Sequence, residues 1–433
     1  MAVDLLTKEQ DQLITSLIKE NASYPTKWGW DGLGQLIYLR TYARDMFRKT
    51  YSKKWLYEYE LPTEDRLIID TLIEKGVYKH KKENWAETIG RVIRGAIRIG
   101  TIYSNDEIKR FFQYMLDLKM SVSGRALWQL DTKLPNEGVM DSLLNCWYHS
   151  MDQTNNFAKI FEKLMLGGGV GFSVQKEYIN HLPSVIHGEL HLDNSLSYID
   201  TLINILNVKG KNEQAYELEE VYKAKLRDNI AKGYTNDKIR LKELKTMLSE
   251  ETYLSASEIE EKGYLDESDN DLSIDRIIYV GDSREGWVSL LTAVLETFYA
   301  KGGVLTFNTS LVRPYGELIK GFGGKASGDA SLIKGMFEIA NIFSNAIGRK
   351  LTSVEVMDVV CIIADIVVSG NVRRSALLAL GDDNDIDFIT SKRWDLKTVP
   401  NYRSMANLSV ATNDTNNLPQ EFWDSYRNKD WIS

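Results

Sequence analysis

The residues that decide the fold run from Asn156 to Lys176, NFAKIFEKLMLGGGVGFSVQK. In the first half Phe157, Ile160, Phe161 and Leu164 recur at the three- and four-residue steps of a helix. Three glycines follow, and then a short apolar run, GVGFSV, of strand length. The same texture returns in GGVLTFNTSLV (Gly302 to Val312) and SALLAL (Ser375 to Leu380), with the helical stretch WVSLLTAVLETFYA in between. Short strands alternating with helices predict a parallel α/β architecture, in which active sites gather at the loops beyond the strand ends.

Outward from that core the pattern changes twice. From Leu5 to about Gly100 the chain is rich in aromatics and spaces its apolar residues as helices do, as in DGLGQLIYLRTYARDMF and AETIGRVIRGAIRIG. At Ser195 it becomes dense in charges of both signs and stays so to about Ile278. The opening of that stretch, SYIDTLINIL, puts Ile199, Leu202, Ile203 and Leu206 on one helical face. These shifts predict an N-terminal helical region (1–110), a first α/β part (111–194), a helical insertion (195–278) and a continuation of the α/β part (279–433).

The 433 residues hold 43% hydrophobic and 26% charged side chains, ordinary values for a globular protein. No run approaches the ~18 apolar residues that a membrane helix needs. The first residues include acids, and no cationic segment precedes an apolar run, so they do not read as a signal peptide, and a cytoplasmic protein is expected. A formal net charge of -8 argues against a binder of nucleic-acid polymer and leaves nucleotide monomers open.

Both glycine clusters fail the phosphate-binding fingerprints. GFGGKAS lacks the glycine five positions before Gly324, and Ala326 stands where a P-loop carries Ser or Thr. GGGVGF has Phe172 at the third glycine position of the dinucleotide pattern. What remains is that these glycines make tight turns or let the backbone approach a ligand closely. Arg373 and Arg374, in GNVRRSALLAL, offer fork-shaped donors to a phosphate or to an acidic partner.

The chain has two cysteines, too few for a disulfide framework or a metal cage, and no metal site is expected. Cys361, in VVCIIADIVV, reads as a core residue. Cys146 sits in a polar setting, LLNCWYHSMDQ (Leu143 to Gln153), and any redox chemistry rests on it.

Taken in order, SVSGRALWQL, NCWYHS, LMLGGGVGFSVQK, DSREGWV, FNTSLVRPYGELIKGFGGKASG and VVSGNVRRSALLALGDDND resemble the class II, adenosylcobalamin-dependent ribonucleotide reductases, and among them the ribonucleoside-triphosphate branch. The resemblance covers most of the chain apart from the insertion. It implies part of a ten-stranded α/β barrel and adenosylcobalamin (coenzyme B12) as cofactor. Cys146 would be one of the two thiols that reduce the ribose, beside substrate-wall residues Ser123, Gly124, Arg125, Asn145, Gly168 and Gly169. Gly321, Phe322, Gly323, Gly324 and Lys325 would form the loop that passes the identity of a deoxynucleotide effector to the substrate base. The insertion falls where the monomeric triphosphate reductases carry a segment that mimics a dimer interface.

Relatives of this kind continue into an Asn-Pro-Cys-Gly-Glu stretch that carries the thiyl cysteine, which these 433 residues do not include. The resemblance therefore implies the N-terminal part of a split or truncated reductase. Its partners would be a C-terminal reductase polypeptide, a ribonucleotide, a deoxynucleotide effector and thioredoxin or a similar dithiol, with no membrane. A non-catalytic nucleotide-binding or regulatory module derived from a reductase is the alternative.

Overall fold

The structure is a computed structural model. It describes residues 5–49, 78–101, 103–132, 140–193, 198–231, 272–274, 277–313, 315, 326–369, 376–396 and 398–427. The chain divides into two units, Met1–Asn145 and Cys146–Ser433.

The first unit is built on three helices, α1 (Lys8–Glu20), α2 (Trp85–Arg98) and α3 (Asn105–Leu116), each opened by a capping box from Thr7, Asn84 and Ser104. Helix α2 is buried along almost its whole length, and Gly90 lets it close on α1, because a Cβ there would overlap Ile18. A short helix, α4 (Gly124–Gln129), completes this layer. The expected helix over DGLGQLIYLRTYARDMF stops at Tyr42: Ala43 turns extended, and Asp45–Lys49 (β1) pairs antiparallel with Tyr78–Lys82 (β2). Glu83 diverts the chain. Its carboxylate accepts from the Arg44 amide at 3.0 Å while its own amide donates to the Arg44 carbonyl at 2.9 Å.

In the second unit the glycine-punctuated runs are strands, as the sequence pattern predicts. Cys146–Ser150 (β3), Gly169–Ser173 (β4), Ala376–Asp382 (β9) and Ala406–Ala411 (β10) form an all-parallel sheet in the order β10-β9-β4-β3. Gly188–Leu192 (β5), Leu272–Ile274 (β6), Ile277–Tyr279 (β7) and Gly303–Asn308 (β8) form a second sheet, ordered β5-β8-β7-β6 and parallel except for the β6–β7 pair. The architecture is α/β, with two four-stranded sheets among the described residues.

Helices α5 (Asn155–Met165), α8 (Arg284–Glu296), α9 (Ala330–Ser344) and α10 (Ser353–Val368) supply the core against these sheets. Between α5 and α8 lie α6 (Tyr198–Val208) and α7 (Asn212–Ala231), inside the stretch read as an insertion. On α6 Ile199, Leu202 and Leu206 are buried as expected. The fourth buried apolar residue is Ile205, while Ile203 is only half-buried. Helix α10 is apolar apart from a stripe with Glu355, Asp358 and Asp365, it is buried on nearly every side, and Cys361 lies within it, fully covered. No described helix is long and apolar enough to cross a membrane.

Candidate active-site face

Cys146 is the first residue of β3, an edge strand of the parallel sheet. Its register partner on β4 is Gly169, whose partner on β9 is Ala376. One step along, Tyr148, Gly171, Leu378 and Asn407 form the next row of the same face. Alternation sends the intervening rows to the other side. Trp147, Val170, Leu377 and Ala406 face the helices, as do His149, Phe172, Ala379 and Leu408.

Among the described residues the sheet is therefore covered on one face and open on the other. Parallel sheets are ordinarily buried on both faces. Here Tyr148 is 56% and Leu378 43% exposed, and Cys146 is exposed beside them. Sites were expected at the loops beyond the strand ends, and the structure puts Cys146, Gly169 and Ala376 at the amino ends of β3, β4 and β9. The glycines at 169 and 171 keep the face low in side chains, and Tyr148 Cδ2 would lie 3.4 Å from a Cβ on residue 171.

The glycine triplet is resolved into separate duties. Helix α5 ends in a Schellman turn: the Gly167 amide donates to Leu164 O at 2.8 Å and the Gly168 amide to Lys163 O at 3.2 Å. Gly167 holds the left-handed conformation this turn requires, φ 74°. A Cβ on Gly168 would fall inside the indole of Trp147. Only Gly169, one residue on, belongs to the open face.

His149 is the polar side chain of β3 on the covered face. Its Nε2 is buried with no hydrogen-bond partner. Burial lowers its pKa, and the Lys159 and Lys163 ammonium groups on α5 lower it further, so the imidazole is neutral at pH 7. Cys361 is shut off from any such role, since burial in α10 pushes its thiol up to about 12.

In the first unit Ser123 caps α4, its hydroxyl accepting from the Ala126 amide at 3.2 Å. Gly124 packs under Tyr42, whose Oη would lie 2.9 Å from a Cβ there. Arg125 donates to Ser142 O at 3.1 Å. The far end of α4 is held by Arg91, which donates to Leu127 O and Leu130 O at 2.7 Å each and pairs with Glu83 through Nε at 2.8 Å and Nη2 at 3.0 Å. Both Arg91 and Glu83 are fully buried. Asn145 is exposed at the end of this unit.

Of the residues expected to form the site, the structure thus brings Cys146, Gly168 and Gly169 together in the second unit, and Ser123, Gly124 and Arg125 together on α4. Gly321, Phe322, Gly323, Gly324 and Lys325 of the effector loop, and the arginines Arg373 and Arg374, lie outside the described residues. Trp147 and His149 acquire duties here that the pattern of NCWYHS did not assign. The alternation of a strand starting at Cys146 was the available signal for both. Among the described residues no three His, Cys, Asp or Glu side chains stand together as a metal site would require.

Residues 243–343 match the family model described as B12-dependent ribonucleotide reductase, insertion domain. That match begins within the charged stretch read as an insertion and continues through α8, β8 and most of α9. The adenosylcobalamin-dependent ribonucleoside-triphosphate reductase of Lactobacillus gasseri is 31% identical over 421 residues, 89% of this chain and 46% of the relative. Its namesake in Lactobacillus helveticus is 29% identical over 92% of this chain and 48% of its own length. The crystal structure of a B12-dependent (class II) ribonucleotide reductase superposes with a TM-score of 0.58 at 25% identity, over 93% of this chain and 48% of that one. The chain is therefore homologous, over about nine-tenths of its length, to the adenosylcobalamin-dependent class II ribonucleotide reductases, and it spans about half the length of the curated relatives it matches.

Proposed function

We propose that this chain is the part of a class II ribonucleotide reductase that carries one reducing thiol, Cys146, and the substrate-facing sheet around it. The observation that carries the reading is the row Cys146, Gly169, Ala376 on the open face of a parallel sheet, in a chain whose other cysteine is sealed in a helix. A thiol on a glycine-lined surface can meet a ribose at close range, because no side chain on its neighbours holds the ligand off.

The reaction needs two thiols. The 2'-hydroxyl leaves as water, its two reducing equivalents come from two cysteine sulfurs, and those sulfurs end as a disulfide. Cys146 supplies one, and a thiol can hand over its hydrogen. The other, and the cysteine that abstracts the 3'-hydrogen as a thiyl radical, come from reductase residues beyond these 433. Thioredoxin or a similar dithiol restores the pair. On α4, Ser123, Gly124 and Arg125 line the substrate, with Asn145 and the backbone of Gly168 and Gly169. Gly321 to Lys325 relay the effector, a role for which backbone freedom is suited, and Arg373 and Arg374 are candidates for phosphate contacts.

The relatives are named for adenosylcobalamin, and the open face suits such a group. It is broad, poor in side chains and apolar at Tyr148, Gly171 and Leu378, and a corrin brings its own ring nitrogens to its metal. Tyr148, Gly171 and Leu378 would lie against it, leaving the row of Cys146, Gly169 and Ala376 to the ribose. When bound, the cofactor would supply the radical that starts the reaction.

The test is to combine the chain with a polypeptide carrying the Asn-Pro-Cys-Gly-Glu segment, adenosylcobalamin, a ribonucleoside triphosphate and a dithiol, and to measure deoxynucleotide. Turnover that requires both polypeptides supports the reading. Turnover by the 433 residues unaided, or none in a combination that forms a stable complex, overturns it.

A further inference from the structure

We infer that Trp147 is the positioning residue for the Cys146 thiol, and that it acts by seating its indole on the one-residue gap that Gly168 leaves in the helix-to-strand turn. The inference rests on Cys146 being the reacting thiol and deepens that reading.

Three observations converge on this contact. The Schellman turn after α5 places Gly168 at a fixed point, one residue before β4 begins, through the Lys163 and Leu164 carbonyls. The indole of Trp147 occupies the space that a Cβ of residue 168 would need, at Cζ3, Cε3 and Cη2 together. The same ring packs against the helix-covered core, so it cannot swing away without opening that core. Trp147 is also the residue next to Cys146, and Cys146 pairs with Gly169, the residue next to Gly168. The two neighbours on the covered side therefore clamp the two partners on the open side.

A one-residue slip of a strand moves every side chain to the opposite face. On β3 such a slip would bury the thiol and expose the indole. Among the described residues β3 has one strand neighbour, β4, and its register is set against that strand. The indole constrains that register: Trp147 pairs with Val170 and its ring leans diagonally into the gap at Gly168, which holds Cys146 against Gly169.

The chain itself permits the test, because Cys146 is exposed and Cys361 is fully buried, so alkylation of the native protein by iodoacetamide reads Cys146 alone. Gly168→Ala should slow that alkylation toward the rate of the buried Cys361, because the strand slip it forces turns Cys146 to the covered face. Trp147→Leu should change it as well. The deciding variant is the pair: with the ring removed, a methyl at 168 has room, so Trp147→Leu/Gly168→Ala should react at the rate of Trp147→Leu, a strongly non-additive cycle.

Far-UV circular dichroism monitors folding, and if Gly168→Ala alone does not fold, recovery of fold in the pair carries the same information. Alkylation of folded Gly168→Ala at the wild-type rate would overturn the inference. So would simple additivity in the pair, or a pair that fails to fold when Trp147→Leu folds. Alkylation involves no turnover, so these outcomes are separate from the fate of the reductase reading, which is judged by deoxynucleotide yield.

Discussion

The fully buried Glu83–Arg91 pair gives the most exacting test of how the first unit holds its site residues. Arg91 donates to the Glu83 carboxylate and to the carbonyls of Leu127 and Leu130, and Glu83 also accepts from Thr88 Oγ1 and from the Arg44 amide. Glu83→Gln keeps the shape and removes the charge, leaving a guanidinium buried without its counter-ion. Breaking one partner of such a pair costs about 3–5 kcal/mol. With a urea slope of about 2 kcal/mol per molar, the transition of this unit should move down by roughly 1.5–2.5 M. Glu83→Leu/Arg91→Leu should cost less than the sum of its single variants, because neither leaves a charge behind. The damage should be directional. Arg91 anchors the end of α4, so hydrogen–deuterium exchange should rise across residues 123–132, where Ser123 and Arg125 sit, while α5 in the second unit keeps its protection. A midpoint within about 0.3 M of wild type, far inside the range expected for a buried pair, would refute this account of the network.

Thiol titration offers a direct check on the two cysteines. In the native chain one thiol should react promptly with a disulfide reagent and the second only on unfolding, since Cys361 is fully buried with its thiol pushed up to about 12. Two fast thiols, or none, would contradict the placement. His149 should leave a mark on stability: its folded pKa lies below the ordinary value of 6.5, so the unfolded chain binds the proton more readily. The contribution is fully present above about pH 6.5 and is lost as pH falls through the lower, folded value. His149→Gln should flatten that acid-side slope in urea midpoints measured across the window, and an unchanged slope would assign it to other groups.

The parts of this fold that were readable in the sequence share a cause. Helices announced themselves where apolar residues recur three and four apart, as in AETIGRVIRGAIRIG over α2 and NFAKIFEKLML over α5. The strands around Val170 and Leu305 were readable because glycines lead into a short apolar run. Cys361 was legible as core for the same local reason. Features that depend on register were not. Trp147 meets Gly168 across twenty-one positions of sequence, and nothing in either residue's own neighbourhood reveals that one exists to make room for the other. The strand at Asp45–Lys49 was hidden inside a helical pattern because its direction is set by Glu83, nearly forty residues on. The open face likewise followed from the sheet order, which local periodicity does not encode.

The central claim is that Cys146 is a reducing thiol on the open face of the β10-β9-β4-β3 sheet. Its most direct test is deoxynucleotide yield in the combined enzyme, with adenosylcobalamin and dithiol present, for Cys146→Ser beside Cys361→Ser. Loss of product in the first variant and near-wild-type product in the second is the predicted result. Equal, near-wild-type turnover in both would contradict it.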